Sequence, residues 1–344
     1  MDKATLMLAD IPQEAWEHIC EDSPNQDMQT LIGILKRAPE AAARMAAHGI
    51  PQDIINATFA DIGLWARRCK RQQGHWGLAN PSPGWLENHL ACKIFRVGRI
   101  QCIPRYFGED WNVRFYRNKK TGQAVALTAG EQDFRADGQV SGTGGIYAGD
   151  DGFKGFFQEN EAEVSGIKLS PAGYAEKDPV TLKLDQWALA LTAGMPVLEL
   201  HIPVDGDFEM ETCHKTFVDM AAFAKNHREG IAQLTGIEGP FAAFTLGSWI
   251  INKQLDGILP PESRLVQHLR QYYLLPVLCG EDSEMFWIFD GRKIDLNNLK
   301  PEDTQTSLQR RVIDFIRAGN KLRYNRGIVL MDDADKFGQG FYGQ

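Results

Sequence analysis

The spacing of apolar residues changes character at Ile94, and that switch restricts the fold more than any single motif. Before it, from Asn25 to Ala47, the residues Met28, Leu31, Ile32, Leu35, Ala42, Met45 and Ala46 recur at threes and fours. That is the spacing of one helix face. Gly49-Ile50-Pro51 stops this helix and starts another. The second is expected from Pro51 to about Cys69, with Ile54, Ile55, Phe59, Ile62 and Trp65 on its stripe. Arg67, Arg68, Lys70 and Arg71 follow, where cations suit the negative pole of the helix dipole. A third, shorter helix is expected over Gly84 to Lys93. After Ile94 the chain favours strands, at 94–103, 111–117 and 123–128, the last two joined by the turn Asn118-Lys119-Lys120-Thr121-Gly122.

Beyond the glycine-dense stretch 142–155, the sequence predicts alternation. Strands are expected at 153–157, 197–202, 241–251, 285–289 and 327–330. Helices are expected at 185–193, 209–226, 263–273 and 303–318. Alternating strands and helices argue for a mixed α/β (α+β) layer architecture. The expected division is 1–141, helices to about residue 93 and then a β-meander; 142–331, a mixed sheet flanked by helices; and a flexible polar tail at 332–344.

Composition narrows the function. Lys and Arg number 37 against 45 Asp and Glu, so the net charge is −8. That balance argues against nucleic acid and anionic membranes as partners. The run from Trp187 to Leu198 is too short to span a bilayer. No apolar leader follows Met1-Asp2-Lys3, so a cytoplasmic location is expected. The six cysteines are scattered and read as reduced thiols. Neither His89 with Cys92 nor Cys213 with His214 has further ligands close by in sequence, so no metal is expected.

Several stretches together resemble a known family. They are Thr58-Phe59-Ala60-Asp61-Ile62-Gly63-Leu64-Trp65, Gly84-Trp85-Leu86-Glu87-Asn88-His89-Leu90, and Phe95-Arg96-Val97-Gly98-Arg99-Ile100-Gln101. Later come Leu198-Glu199-Leu200-His201-Ile202-Pro203, Gly247-Ser248-Trp249-Ile250-Ile251 and Thr306-Ser307-Leu308-Gln309-Arg310. In this order, over about residues 10 to 330, the chain is similar to a bacterial family of acyltransferases. That family joins an N-terminal helical N-acyltransferase domain to a GNAT-like C-terminal domain. The resemblance implies an acyl-CoA cosubstrate, whose pyrophosphate rests on the main-chain donors of a loop leading into a helix. It also implies a small-molecule or peptide amine as acceptor. The marker for that loop, Gln/Arg-x-x-Gly-x-Gly/Ala, is absent at the expected joints.

Candidate sites follow from that expectation. Gly206 in Pro203–Phe208 would let backbone approach a phosphate, but Asp205 and Asp207 repel one, and a turn with an N-cap is the plainer reading. Thr306, Ser307, Gln309, Arg310 and Arg311 gather hydroxyls, an amide and two guanidinium groups at a helix start, the groups that bind phosphate. A capped amphipathic helix explains them too. His201 is the candidate base for an amine nucleophile, alternating with Leu200 and Ile202 across the pleat, although with no orienting carboxylate in view a hydrogen-bonded structural histidine is the plainer reading. Ser248 is the candidate proton donor to the leaving thiolate, beside Trp249 as a pocket floor; an ordinary strand serine next to a core tryptophan is the plainer reading. Arg264 and Tyr272 are candidates for the acceptor side, with a solvated face as the plainer reading. The leading expectation is acyl transfer from acyl-CoA to an amine. The alternative is a non-catalytic GNAT-like binding module that has lost CoA chemistry. A hydrolase is disfavoured, because Gly247-Ser248-Trp249 lacks the flanking glycine of a nucleophile elbow.

Overall fold

The computed structural model of the chain describes residues 1–108, 111–203, 205, 208–280, 285–289 and 291–343. The fold is mixed α+β, as the change of period at Ile94 requires. Six helices come first: α1 (Lys3–Leu8), α2 (Gln13–Trp16), α3 (Gln26–Ala47), α4 (Gln52–Phe59), α5 (Asp61–Gln73) and α6 (Ser82–Leu90). Asn25 caps α3 by accepting the Met28 N–H, and the helix buries Met28, Leu31, Ile32, Leu35 and Met45. Ala41 completes that face, while Ala46 is exposed. The expected second helix is two helices, because Ala60 is at once the C-cap of α4 and the residue before α5. Gly63 fixes where α5 lies: a Cβ there would fall 2.2 Å from the Asp10 carbonyl oxygen.

Among the described residues, eleven strands follow. They are β1 (Phe95–Val97), β2 (Ile100–Tyr106), β3 (Val113–Asn118), β4 (Ala124–Thr128), β5 (Asp133–Phe134) and β6 (Phe153–Lys154). Then come β7 (Phe157–Glu159), β8 (Glu163–Ser170), β9 (Tyr174–Lys183), β10 (Trp187–Leu191) and β11 (Pro196–His201). The remainder alternates: α7 (Met210–Asn226), α8 (Arg228–Thr235), β12 (Ala243–Gly247), α9 (Leu255–Ile258), α10 (Arg264–Leu269) and β13 (Tyr273–Pro276). It ends with α11 (Met285–Ile288), α12 (Ser307–Arg317) and β14 (Asn325–Leu330). Among the described residues no helix is long and apolar enough to cross a membrane.

Two segments differ in kind from expectation. Residues 185–193, expected as a helix, hold strand β10, which pairs antiparallel with β3 through Trp187–Asn118 and Leu189–Tyr116. The partner strand overrides a weak local preference. Residues 285–289, expected as a strand, form the single turn α11, with Phe286 and Trp287 exposed. The hairpin β8–β9 carried no sequence expectation.

By internal packing the chain divides into two compact units. The first is Met1–Arg105, Leu198–Asp207 and Lys215–Phe241; the second is Tyr106–Val197, Phe208–His214 and Ala242–Gln344. The 141/142 junction lies within the second. In the first unit, β1 pairs antiparallel with β2, and β2 neighbours β11. In the second, β14 lies between β12 and β13, all antiparallel. A further sheet there runs β10-β3-β4-β8-β7, with β9 on β8. Phe115, Ala126, Leu169, Tyr273 and Ile328 belong to one buried cluster of that unit. Its polar seams are equally specific: Asn325 donates to the carbonyls of Gly173 and Leu275, both at 3.2 Å. Of the tail expected to fray, 332–344, the described residues 332–343 are held in place. Buried Asp333 takes the Arg117 guanidinium at 2.7 and 3.0 Å and the Tyr342 hydroxyl at 2.8 Å. The glycine-dense stretch is likewise tied, by Thr143 Oγ1 to the Val277 carbonyl at 2.9 Å.

Candidate active site

Within the first unit, one polar cluster is built on four elements. Asp61 opens α5 and is only 3% exposed. Its Oδ2 accepts the Trp65 indole N–H one turn on, at 3.2 Å, and the Trp85 indole N–H from α6 at 2.9 Å. His89, one turn after Trp85 and fully buried, places Nε2 3.2 Å from the same oxygen. Gln101 of β2 also donates to the carboxylate, and its amide lies 3.4 Å from His89 Nε2. Burial alone would push the Asp61 pKa up. The His89, Gln101 and Trp85 donors outweigh it and hold the carboxyl below its usual range. Helical spacing of four puts Asp61 with Trp65, and Trp85 with His89, on shared faces.

His201 closes β11 against this cluster. Its ring packs on the Trp85 indole at 4.7 Å between centroids, tilted by 59°. Its Nε2 is shielded from solvent and has no hydrogen-bond partner among the described residues. Burial lowers the His201 pKa below the ordinary histidine value; Glu199 opposes that, and Arg105 and His89 reinforce it. The imidazole is therefore neutral at neutral pH. Glu199 lies two residues earlier on the same side of the strand and pairs with Arg105 of β2 at 2.5 Å. A carboxylate beside His201 was thus present in the sequence at the right alternation. A neutral, partly buried imidazole on an aromatic platform is suited to taking a proton from an amine.

The other candidates have different surroundings. Ser248 and Trp249 belong to the second unit and lie past the end of β12 rather than in it; Ser248 O accepts the Ile251 N–H at 2.9 Å. Tyr272 is a core residue, fully buried, with its hydroxyl 3.0 Å from His268 Nε2. Arg264 is exposed and pairs with Glu209 at 3.1 Å. Gly206 lies outside the described residues. In the same loop Asp205 takes the Arg96 guanidinium at 2.8 Å.

At the start of α12, Thr306 and Gln309 form a reciprocal capping box. Thr306 Oγ1 accepts the Gln309 N–H at 3.1 Å, and Gln309 Oε1 accepts the Thr306 N–H at 3.0 Å. Arg310 donates to the carbonyls of Thr304 and Gln305, at 2.6 and 3.1 Å, and Arg311 to that of Ile258 at 3.3 Å. The N–H groups of Ser307 and Leu308 point along the free end of the helix.

Sequence reasoning singled out His201 but missed Asp61, Trp85, His89, Gln101, Glu199 and Arg105. The available signal was a lone aspartate on the apolar face of an expected helix. A separate cleft of about 850 Å³ among α1, α3 and α4 is lined by residues such as Met7, Pro39, Ala42 and Ala57, none of them His, Cys or Lys.

Comparison with known proteins agrees with this architecture. A crystal structure of an acyltransferase in complex with CoA and 10C-teicoplanin is 16% identical, with TM-score 0.57 over 96% of this chain and 87% of that one. A mutant acyltransferase in complex with octanoyl-CoA gives TM-score 0.58 at 16% identity, over 95% and 87%. One in complex with decanoyl-CoA gives 0.54 at 16% identity, over 95% and 86%. No curated protein matches the chain in sequence. The N-acyltransferase N-terminal domain family matches residues 2–92, and the GNAT-like C-terminal domain family matches residues 94–329. Because those matches run through nearly the whole length, the chain belongs to the family that joins an N-acyltransferase N-terminal domain to a GNAT-like C-terminal domain.

Proposed function

We propose that this chain transfers an acyl group from acyl-CoA to an amine, with His201 as general base. The observation that carries the reading is family membership over both domains, in a fold shared with acyltransferases seen with CoA, octanoyl-CoA and decanoyl-CoA. In the step, the amine nitrogen attacks the thioester carbonyl while His201 or an intervening water removes its proton. The tetrahedral intermediate collapses, the C–S bond breaks, and the CoA thiolate takes up the proton that His201 or the water had accepted, which restores the neutral base. The products are an amide and free CoA. Burial keeps His201 neutral and so ready to accept a proton near pH 7. The Trp85 indole, fixed by Asp61, holds the ring in place.

For the CoA pyrophosphate we propose the α12 start, with Ser307 and Leu308 N–H as main-chain donors and Arg310 and Arg311 as cations that exchange carbonyl partners for phosphate. The acceptor is proposed to be a small-molecule or peptide amine; one similar structure is of an acyltransferase in complex with decanoyl-CoA and teicoplanin. A cytoplasmic location fits the use of CoA.

Calorimetry and thermal shift with CoA, octanoyl-CoA and decanoyl-CoA test this reading. Ligand at a hundred times its Kd adds about 2.7 kcal/mol of stability. Absence of binding at millimolar ligand overturns acyl transfer.

A further inference from the structure

We propose that Asp27, Cys69 and His75 form a site for a divalent cation of the zinc class. Asp27 lies in the first turn of α3, Cys69 in α5, and His75 just beyond α5, past the left-handed Gly74. One ligand atom from each residue falls within 4.8 Å of the other two. Sulfur, imidazole nitrogen and carboxylate oxygen are the donor types zinc selects, with bonds of about 2.0–2.3 Å that set tetrahedral ligand atoms roughly 3.3–3.8 Å apart. His75 Nε2 now lies 2.9 Å from Asp27 Oδ2, so an ion needs this pair to open by less than an ångström.

The surroundings hold the three residues in register. Leu78 N–H donates to the Asp27 carbonyl at 2.9 Å. Gly77 passes so close to Asp27 that a Cβ would lie 2.6 Å from the aspartate Cβ. The main-chain N–H of Ala79 donates to the Cys69 sulfur, an outer contact of the kind that supports metal-bound thiolates. Cys69 is buried, whereas the side chains of His75 and Asp27 are 39% and 30% exposed. With Cys69 on the buried side and His75 and Asp27 partly open to solvent, the fourth position would fall to water. A thiolate and a carboxylate together balance the charge of a dication. The bound ion would tie the start of α3 to the far end of α5, the helix whose first residue is Asp61.

The test does not depend on acyl transfer. Chain purified without chelator is assayed for zinc by mass spectrometry, and metal-free chain is titrated with cobalt(II). The expected result is one ion per chain, with a thiolate-to-cobalt charge-transfer band in the near ultraviolet. Cys69→Ser abolishes the band and Cys20→Ser leaves it unchanged. His75→Gln, on a partly exposed loop where folding is retained by circular dichroism, weakens binding at least about a hundredfold, the upper end for loss of even an outer-sphere partner. Absence of the band, or a band that survives Cys69→Ser, overturns the proposal.

Discussion

Two polar clusters, one in each unit, hold the residue types that acyl transfer needs, and they differ in what is left unspent. Around Asp61, two indoles, an imidazole and an amide converge on one carboxylate, while the adjacent His201 Nε2 has no hydrogen-bond partner among the described residues. At the start of α12, the hydroxyl, the amide and both guanidinium groups already bond to the chain itself. Residue type and spacing bring suitable groups together in both places. Only the hydrogen-bond inventory separates a group free to react from one that must first exchange a partner.

The largest expected effect breaks the comparison at the base. His201→Gln should lower kcat/KM for acyl transfer by about 10²–10⁴-fold, the usual range for a general base, with the fold retained. Release of free CoA thiol measures it. Loss below tenfold would remove His201 from the base role. Next, Asp61→Ala leaves two indole N–H groups and an imidazole unpaired in the interior. It should destabilise the protein by about 3–5 kcal/mol, the scale for breaking a buried charged network, read by urea unfolding. A cost under 1 kcal/mol would mean that water replaces the carboxylate readily.

Arg310→Ala sharpens the other side. If Arg310 exchanges its carbonyl partners for CoA phosphate, affinity for CoA should fall by about ten- to a hundredfold, the scale of a hydrogen bond to a charged group. Unchanged affinity moves the pyrophosphate site elsewhere. Thr306→Ala, which removes one half of the capping box, should cost about 0.5–2 kcal/mol of stability whether or not CoA binds there.

The smallest effect is in pH. Because burial lowers the His201 pKa, both folded and unfolded chains carry it neutral above about pH 6.5. As pH falls below that, the unfolded state takes the proton first, so the stability contribution declines toward the lowered folded value. The rate should follow the same lowered value, staying level below pH 6.5 before it drops. A rate that halves at or above pH 6.5 would contradict the burial of this ring.

Legibility followed the range of the interactions. The α3 stripe and the β3–β4 hairpin could be read from neighbours three to five residues apart, whereas the helix expected from residue 303 starts only at Ser307, behind the Thr306 cap. Strand β10 could not, because Trp187-Ala188-Leu189-Ala190-Leu191 acquires its extended form from β3, about seventy residues earlier. The tail 332–344 reads as frayed because its glycines are local, whereas the Arg117 guanidinium that anchors Asp333 is 216 residues away.

The site divides in the same way. By itself the sequence determined that helices precede strands and that His201 opposes Leu200 across a pleat. Helical and strand periods are local geometry and need no knowledge of the rest of the chain. Only tertiary structure decided that Asp61, Trp85 and Gln101, from two helices and a strand, meet at one carboxylate. It alone decided that His201 is shielded enough to remain neutral. Those outcomes depend on which surfaces exclude water from each other, and desolvation is a property of the assembled interior rather than of any segment.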